Sequence, residues 1–296
     1  MREYKDLTYN EIKELNKDKT VFLMALSPLE THGPHLPVGT DLIISEKLLK
    51  RYNNELSEKY PNYNFIKLPS LALGSSLLPV DGSIEIKARN LEKILFDISL
   101  NLNNLGFKYL FLADNHGGPT HQMAIEAASH KIYKKHEFHL IDPFNYFFKM
   151  MVKNDEKLLN KLNSQSGEIG DDSDLHAGNN ETSLMLYLSP DNVKEYQNLK
   201  KYYVVQYKGL SKFIKSLGEL FNSKGLMHLA VNLAWISNKE INPYLGAPAE
   251  ANAKRGAEMV EARVNLEVKY FDKVLKGDRI EEKPFLWKLR FLRYFF

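Results

Sequence analysis

A nearly unbroken apolar run, TVFLMALSP at residues 20–28, restricts the possible folds more than any other stretch of this chain. Val21 through Leu26 offer no polar side to water, and Ser27-Pro28 ends the run before a helix could complete its turns. Such a segment reads as a strand covered on both faces, the kind found in parallel sheets. FIKLPSLALG (65–74), KYLFLAD (108–114) and EFHLIDP (137–143) repeat the signal. Between them lie stretches with apolar residues at helical spacing: DLIISEKLLKRYNNEL (41–56), NLEKILFDISLNLNNLG (90–106, stopped by Gly106) and HQMAIEAASHKIYKKH (121–136). Thr40 or Asp41 is placed to cap the first of these helices. The alternation predicts an α/β fold with a mainly parallel sheet and helices on both faces.

Beyond about residue 150 the rhythm loosens. SGEIGDDSDLHAGNNET (166–182) reads as a loop running into a helix, ETSLMLYLSP (181–190), and YYVVQY (202–207) is strand-like. GAPAEANAKRGAEMVEARVNLEVKYFDKVL (246–275) ends in a long amphipathic helix. No repeat or low-complexity linker divides the chain, so a single domain over 1–283 is expected, followed by an aromatic and basic tail at 284–296 that docks on its own domain or a neighbouring subunit, with a membrane-surface foot as the alternative.

Composition narrows the chemistry. Forty basic against thirty-seven acidic residues leave a net charge of +3, with lysines scattered rather than striped, which argues against nucleic acid. Without cysteine there is no disulfide, no thiol nucleophile and no thiolate ligand, so any transition metal must be held by His, Asp and Glu. The polar, helix-like residues 1–20 lack a secretory core, and no run of about eighteen apolar residues would span a bilayer. A cytoplasmic location is the expectation.

Candidate ligands concentrate in three places. PLETHGPHLPVGTD (28–41) packs two carboxylates, two imidazoles and three prolines into fourteen residues. The prolines restrict φ and reduce the entropy lost on ordering the loop. Glu30 and His32, two apart in an extended segment, project to the same side. Asp41 is either a helix cap or a further ligand, and His35 is expected to pack or bond locally. His116 follows the strand at 108–114 between Asn115 and paired glycines, which permit close backbone approach. In DLHAGNNETS (174–183), His176 precedes Glu181 by five residues, and Asp174 can orient His176 or form a local turn. The first two loops follow strands, the end of an open α/β sheet where ligands bind.

Together, LETHGPHLPVGTD, NHGG, DLHAGNNETS and GAPAEANAKRG resemble the creatininase (creatinine amidohydrolase) family, in the family's order and over roughly residues 5–265. The resemblance implies a three-layer α/β/α sandwich, a homo-oligomer (commonly a hexamer) and two divalent metal ions, with zinc first and manganese or iron as alternatives. Carried over by motif, Glu30 and His116 bind one metal, His32 the other, and Asp41 bridges them. His176 does acid–base work, oriented by Asp174. In creatininase proper a metal-binding glutamate lies two residues after the histidine that matches His116. Here that position is Gly118, as in the family's "HGG" branch, and Glu181 is proposed to complete the set. The family's Asn-Gly-His-Gly-Gly-Asn becomes Asp114-Asn115-His116-Gly117-Gly118-Pro119. Asp172 stands about where creatininase has a tryptophan, which points to a small-molecule amide other than creatinine. Stretches around 75–85, 140–150 and 200–245 are expected to wall the pocket. The implied reaction is hydrolysis of a non-peptide C–N bond in a cyclic or small linear amide by a metal-activated water. Ring opening of a sugar-derived cyclic ketone on the same metals, and a metal-binding scaffold without turnover, are the alternatives.

Overall fold

Every residue of the strand Thr20–Ala25 is buried, and its side chains part to opposite faces of the sheet. Val21, Leu23 and Ala25 enter one apolar cluster with Phe111 and Ala113, whereas Phe22, Met24 and Leu26 enter another with Leu110 and Leu112. Two covered faces explain why the run lacks polar alternation.

The computed structural model describes residues 1–162, 174–204, 206–238 and 240–278. Its strands are β1 (Arg2–Glu3), β2 (Thr20–Ala25), β3 (Asn64–Lys67), β4 (Tyr109–Ala113) and β5 (His139–Ile141). The main helices are α1 (Tyr9–Glu14), α2 (Thr40–Lys59), α3 (Ala88–Asn104), α4 (Pro119–His136), α5 (Phe144–Lys153), α6 (Glu156–Leu162), α7 (Asn179–Leu188), α8 (Gly209–Leu220), α9 (Lys224–Ile236) and α10 (Ala253–Leu275). The sheet is all parallel in the order β1-β3-β2-β4-β5. Residues of α2, α5, α6, α7 and α10 cover one face, and those of α3 and α4 the other. The fold is thus the three-layer α/β/α sandwich expected. From β2 the chain crosses to β3 on one side and later returns to β4 on the other. The order therefore reverses at β2, and the loops after β2 and β4 open into the same crevice.

Several local readings are corrected. Residues 1–20 are not simply helical, because Arg2–Glu3 adds an edge strand parallel to β3. The strand read at 65–74 is confined to Asn64–Lys67, with Pro69 beyond it unable to donate to a ladder. Tyr202–Val204 form no strand. Tyr202 makes only an isolated bridge to Gly246, since strand-like side chains need a sheet edge to pair with. Neither Thr40 nor Asp41 caps α2: Gly39 holds the cap position, and both residues lie in the first turn. Gly106, at φ +90°, stops α3 as read. Asp172 and the tail 284–296 lie outside the described residues. Among the described residues no helix is long and apolar enough to cross a membrane.

Helices α7 and α10 pack backbone to backbone at Gly256, where an added Cβ would meet the Ser183 carbonyl and lie 3.0 Å from Tyr187 Cβ. Gly256→Ala should therefore lower stability by about 1–3 kcal/mol, the usual range for overpacking. Urea unfolding checks this, and an unchanged midpoint would refute the close packing.

Candidate metal centre

The loop after β2 turns sharply at Gly33 (φ +71°), and the Glu30 N–H donates to Val38 O at 2.9 Å, closing the loop on itself. This holds Glu30 and His32 at the carboxyl edge of the sheet. Asp41 reaches the same place from the first turn of α2, His116 from the loop after β4, and Glu181 from the first turn of α7. His116 Nδ1 lies 3.2 Å from Glu30 Oε2 and 3.3 Å from Asp41 Oδ2. His32 Nε2 lies 3.5 Å from Asp41 Oδ1 and 3.6 Å from Glu181 Oε2. Two sets of donors result, Glu30–Asp41–His116 and His32–Asp41–Glu181, each with its atoms within 4.8 Å of one another and both sharing Asp41. Glu30, His32 and His176 make a third such group.

The donor atoms are prepared for a cation. His32 Nδ1 is 2.9 Å from Glu30 O and His116 Nε2 is 3.1 Å from Ser75 O. Each of these nitrogens donates its proton to a carbonyl, so each ring turns its other nitrogen toward the carboxylates, a lone pair once that nitrogen is deprotonated. Leu78 N–H occupies Glu30 Oε1 at 2.6 Å, leaving Oε2 for the cluster. Glu30 Oε2, His32 Nε2 and Asp41 Oδ2 are buried and have no hydrogen-bond partner. Orphaned polar atoms facing one point are costly in a protein interior, and a divalent cation satisfies them. The residues fit a pair of metal ions.

Electrostatics agree. Burial works against charge on His32, yet Asp41 and Glu181 overcome it and raise its pKa to about 10. His116 is held well above its ordinary value against the same burial, by Glu30 and Asp41. Burial also opposes ionisation of Asp41, and the His32 and His116 imidazoles keep it well below the usual range. Burial alone would raise Glu181, which sits near 7 with His32 opposing and Asp41 adding to the rise. The carboxylates demand positive charge, which divalent metal ions would meet with the histidines neutral.

Position 118 bears on the missing glutamate of creatininase proper. A Cβ on Gly118 would meet the His116 ring and lie 2.8 Å from Ser75 O, where the His116 hydrogen bond now runs. A glutamate there cannot coexist with this arrangement, and Glu181 supplies a carboxylate from another element.

Other expectations fare differently. Asp174 does not bond the His176 ring. Its oxygens take the N–H groups of Asn179 (2.6 Å) and Asn180 (2.8 Å), capping α7, because free helix amides are the nearest donors. His176 Nε2 instead lies 2.7 Å from Thr31 O, and burial lowers its pKa to about 4, so the ring is neutral near pH 7. His35 bonds far along the chain, 2.8 Å from Thr182 Oγ1 on α7, tying the first loop to the third. Sequence reading missed the support behind the cluster. Asn115 Nδ2 donates to Asp41 Oδ1 at 2.8 Å and to Glu181 Oε1 at 3.3 Å, while its Oδ1 accepts from Arg263 Nη1 at 2.6 Å. Arg263, fully buried on α10, also donates to Asp114 O at 2.8 Å and to Glu267 Oε1 at 3.0 Å. Asp114 in turn accepts the His116 N–H (3.0 Å) and the Gln122 side-chain amide (2.6 Å), fixing the 114–118 loop. One signal was available: Arg263 and Glu267 lie on the same helical stripe as Val260, Val264 and Phe271, where a charge demands a partner.

A cavity of about 680 Å³ opens beside the cluster, lined by Glu30, Asp41, His116, His176 and Glu181 at one end. Segments near 76–85, 144–151 and 210–236 form its walls, close to the stretches named from the sequence.

Two measurements test this geometry. Arg263→Met should cost about 3–5 kcal/mol in urea unfolding, as when one partner of a buried pair is removed, and weaken metal binding about 10–100-fold. In protein stripped by chelator, the raised pKa of His32 contributes stability in full below about pH 6.5 and loses it as pH rises through about 10. Metal affinity should climb over the same window, with about two protons released per protein near neutrality, read by calorimetry in buffers of different ionisation enthalpy. No proton release would contradict the electrostatics.

Comparison with known proteins places the chain. The family profile for creatininase, described as creatinine amidohydrolase, matches residues 5–270. No curated protein matches the chain. Among solved structures, a creatinine amidohydrolase (creatininase) shares 18% identity at a TM-score of 0.66, covering 92% of this chain and 97% of that one. A creatininase described with Mn shares 17% at a TM-score of 0.65, covering 92% and 98%. A creatininase mutant of Zn-Zn type shares 16% at 0.58 over the same shares of the two chains. At these identities the structural likeness speaks for the fold, and the profile match, spanning most of the chain, decides the lineage. The chain belongs to the creatininase family.

Proposed function

We propose that this protein is a metal-dependent amidohydrolase that cleaves a non-peptide C–N bond in a cyclic or small linear amide. The observation that carries the reading is the pair of donor sets meeting at Asp41, with buried atoms on Glu30, His32 and Asp41 that lack hydrogen-bond partners. Glu30, Asp41 and His116 would hold one ion, and His32, Asp41 and Glu181 the other. Divalent ions so held supply Lewis acidity to a water and to the substrate carbonyl.

The chain's own groups do the rest. With Nε2–H donated to Thr31 O, His176 keeps a lone pair on Nδ1. In its neutral form the ring accepts a proton from the attacking water at that atom and returns it to the departing nitrogen. Asp174 acts as a positioning residue through the cap it makes on α7, which sets the loop carrying His176 and the turn carrying Glu181. Ring opening of a sugar-derived ketone would use the same cluster. The walls are apolar over most of their area, which favours an amide over a ring bearing several hydroxyls.

A second reading of His176 has its own observation, since its ligand atom falls within 4.8 Å of those of Glu30 and His32. One variant separates the two. Protein purified without chelator should carry bound zinc, manganese or iron, measured by plasma emission. His176→Ala should keep that metal while hydrolysis of lactams and formamides falls about 10²–10⁴-fold. Loss of metal in the variant would make His176 a ligand. Absence of metal in the parent protein, unrestored by dialysis against these ions, would end the proposal. Full occupancy without turnover across a broad amide panel would point to a binding scaffold.

A further inference from the structure

The cavity beside the cluster has a volume of about 680 Å³, within the range of roughly 300–1,000 Å³ that takes a drug-sized molecule. Two helices give it a particular character. Phe144, Phe147 and Phe148 line it from α5 at i, i+3 and i+4, and Leu226, Leu229 and Leu233 line it from α9 at i, i+3 and i+7. These are the spacings of apolar helix faces, and both border the cavity that leads to the donor sets, with His228 and Asn232 the polar side chains that α9 adds among its leucines.

The charged groups around it are already committed. Arg263 is the sole arginine, and no lysine occurs, among the described residues of the lining. Its hydrogen bonds to Glu267, Asn115 and Asp114 run backward into the protein. Glu85, the one acid of the lining outside the third loop and the donor sets, accepts the Ser76 N–H. A carboxylate or phosphate carried into these walls would lose its hydration and meet no free side-chain cation among the described residues.

We infer that the cavity recognises the neutral, apolar part of the substrate, an alkyl or aryl group on an amide whose carbonyl lies at the two donor sets. The inference rests on the amidohydrolase reading and names its substrate class. The carbonyl end is fixed by the cluster, and the length and shape of the apolar part decide affinity.

The test uses linear alkyl hydroxamates, which present a carbonyl to a metal site, from acetohydroxamate to octanohydroxamate. Each is titrated calorimetrically into the full-length protein, once dialysed against zinc or manganese and once stripped by chelator. Affinity for the metal-loaded protein should rise about threefold to fourfold per methylene. A six-carbon compound ending in a carboxylate should bind at least about tenfold more weakly than its neutral counterpart. Leu229→Gln, checked for folding by thermal melt, should cut the gain to below about twofold per methylene. If that variant fails to fold, the parent series decides alone. Affinity that stays flat with chain length, or that favours the carboxylate, overturns the inference while metal-dependent binding of acetohydroxamate leaves the amidohydrolase reading intact. A chain-length gain that survives chelation supports the apolar pocket and counts against the metal reading.

Discussion

Asp41 is the point on which the molecule turns. Its carboxylate is buried in the first turn of α2, faces His116 with one oxygen and His32 with the other, and belongs to both donor sets. A helix N-terminus favours negative charge, so α2 helps to hold this carboxylate ionised. The position has nevertheless given up the usual task of an acid there, because Gly39 occupies the cap and Thr40 Oγ1 turns back to Pro37 O at 2.6 Å. A buried anion freed from capping is available to something else, and the imidazoles opposite define what that is.

Burying so many titratable groups demands compensation, and much of the surrounding structure supplies it. Asn115 stands between Asp41 and Glu181 on one side and Arg263 on the other, so one amide relays order from α10 to both donor sets. Asp114 stiffens the loop from behind by accepting backbone N–H groups and the Gln122 amide. The glycine at 118 is part of the same bargain with space, since the His116 ring and Ser75 carbonyl fill the volume that a side chain would take. The departures from the family's usual motif at Asp114 and Asn115 therefore have structural partners in this chain.

The cluster and the cavity differ in polarity. Polar groups gather at the sheet edge, at the switch point beside β2, where loops from different strands must converge. Beside them α5 presents Phe144, Phe147 and Phe148, and α9 presents Leu226, Leu229 and Leu233 together with His228 and Asn232, walls far less polar than the cluster itself.

Much of this was legible in the residues. The runs at 20–28 and 108–114 announced strands covered on both faces, because a helix or one-sided strand would need polar interruptions that are absent. The ligand types in PLETHGPHLPVGTD followed from chemistry, and their pairing with His116 and Glu181 from motif resemblance. Local pattern failed where a partner decides the outcome. Tyr202–Val204 have the side chains of a strand but only an isolated bridge at Tyr202, whereas Arg2–Glu3, with no strand signal, finds β3 beside it. Asp174 took the amides of α7 rather than the neighbouring imidazole, and His35 reached Thr182, because the nearest donor or acceptor in space is set by packing and not by sequence distance. Sequence by itself determined which elements form and which side chains can ligate, since both depend on residue type and short spacing. Only the tertiary structure decided which lone pairs face one another, what Arg263 secures and how apolar the cavity is, since these depend on segments brought together from distant parts of the chain.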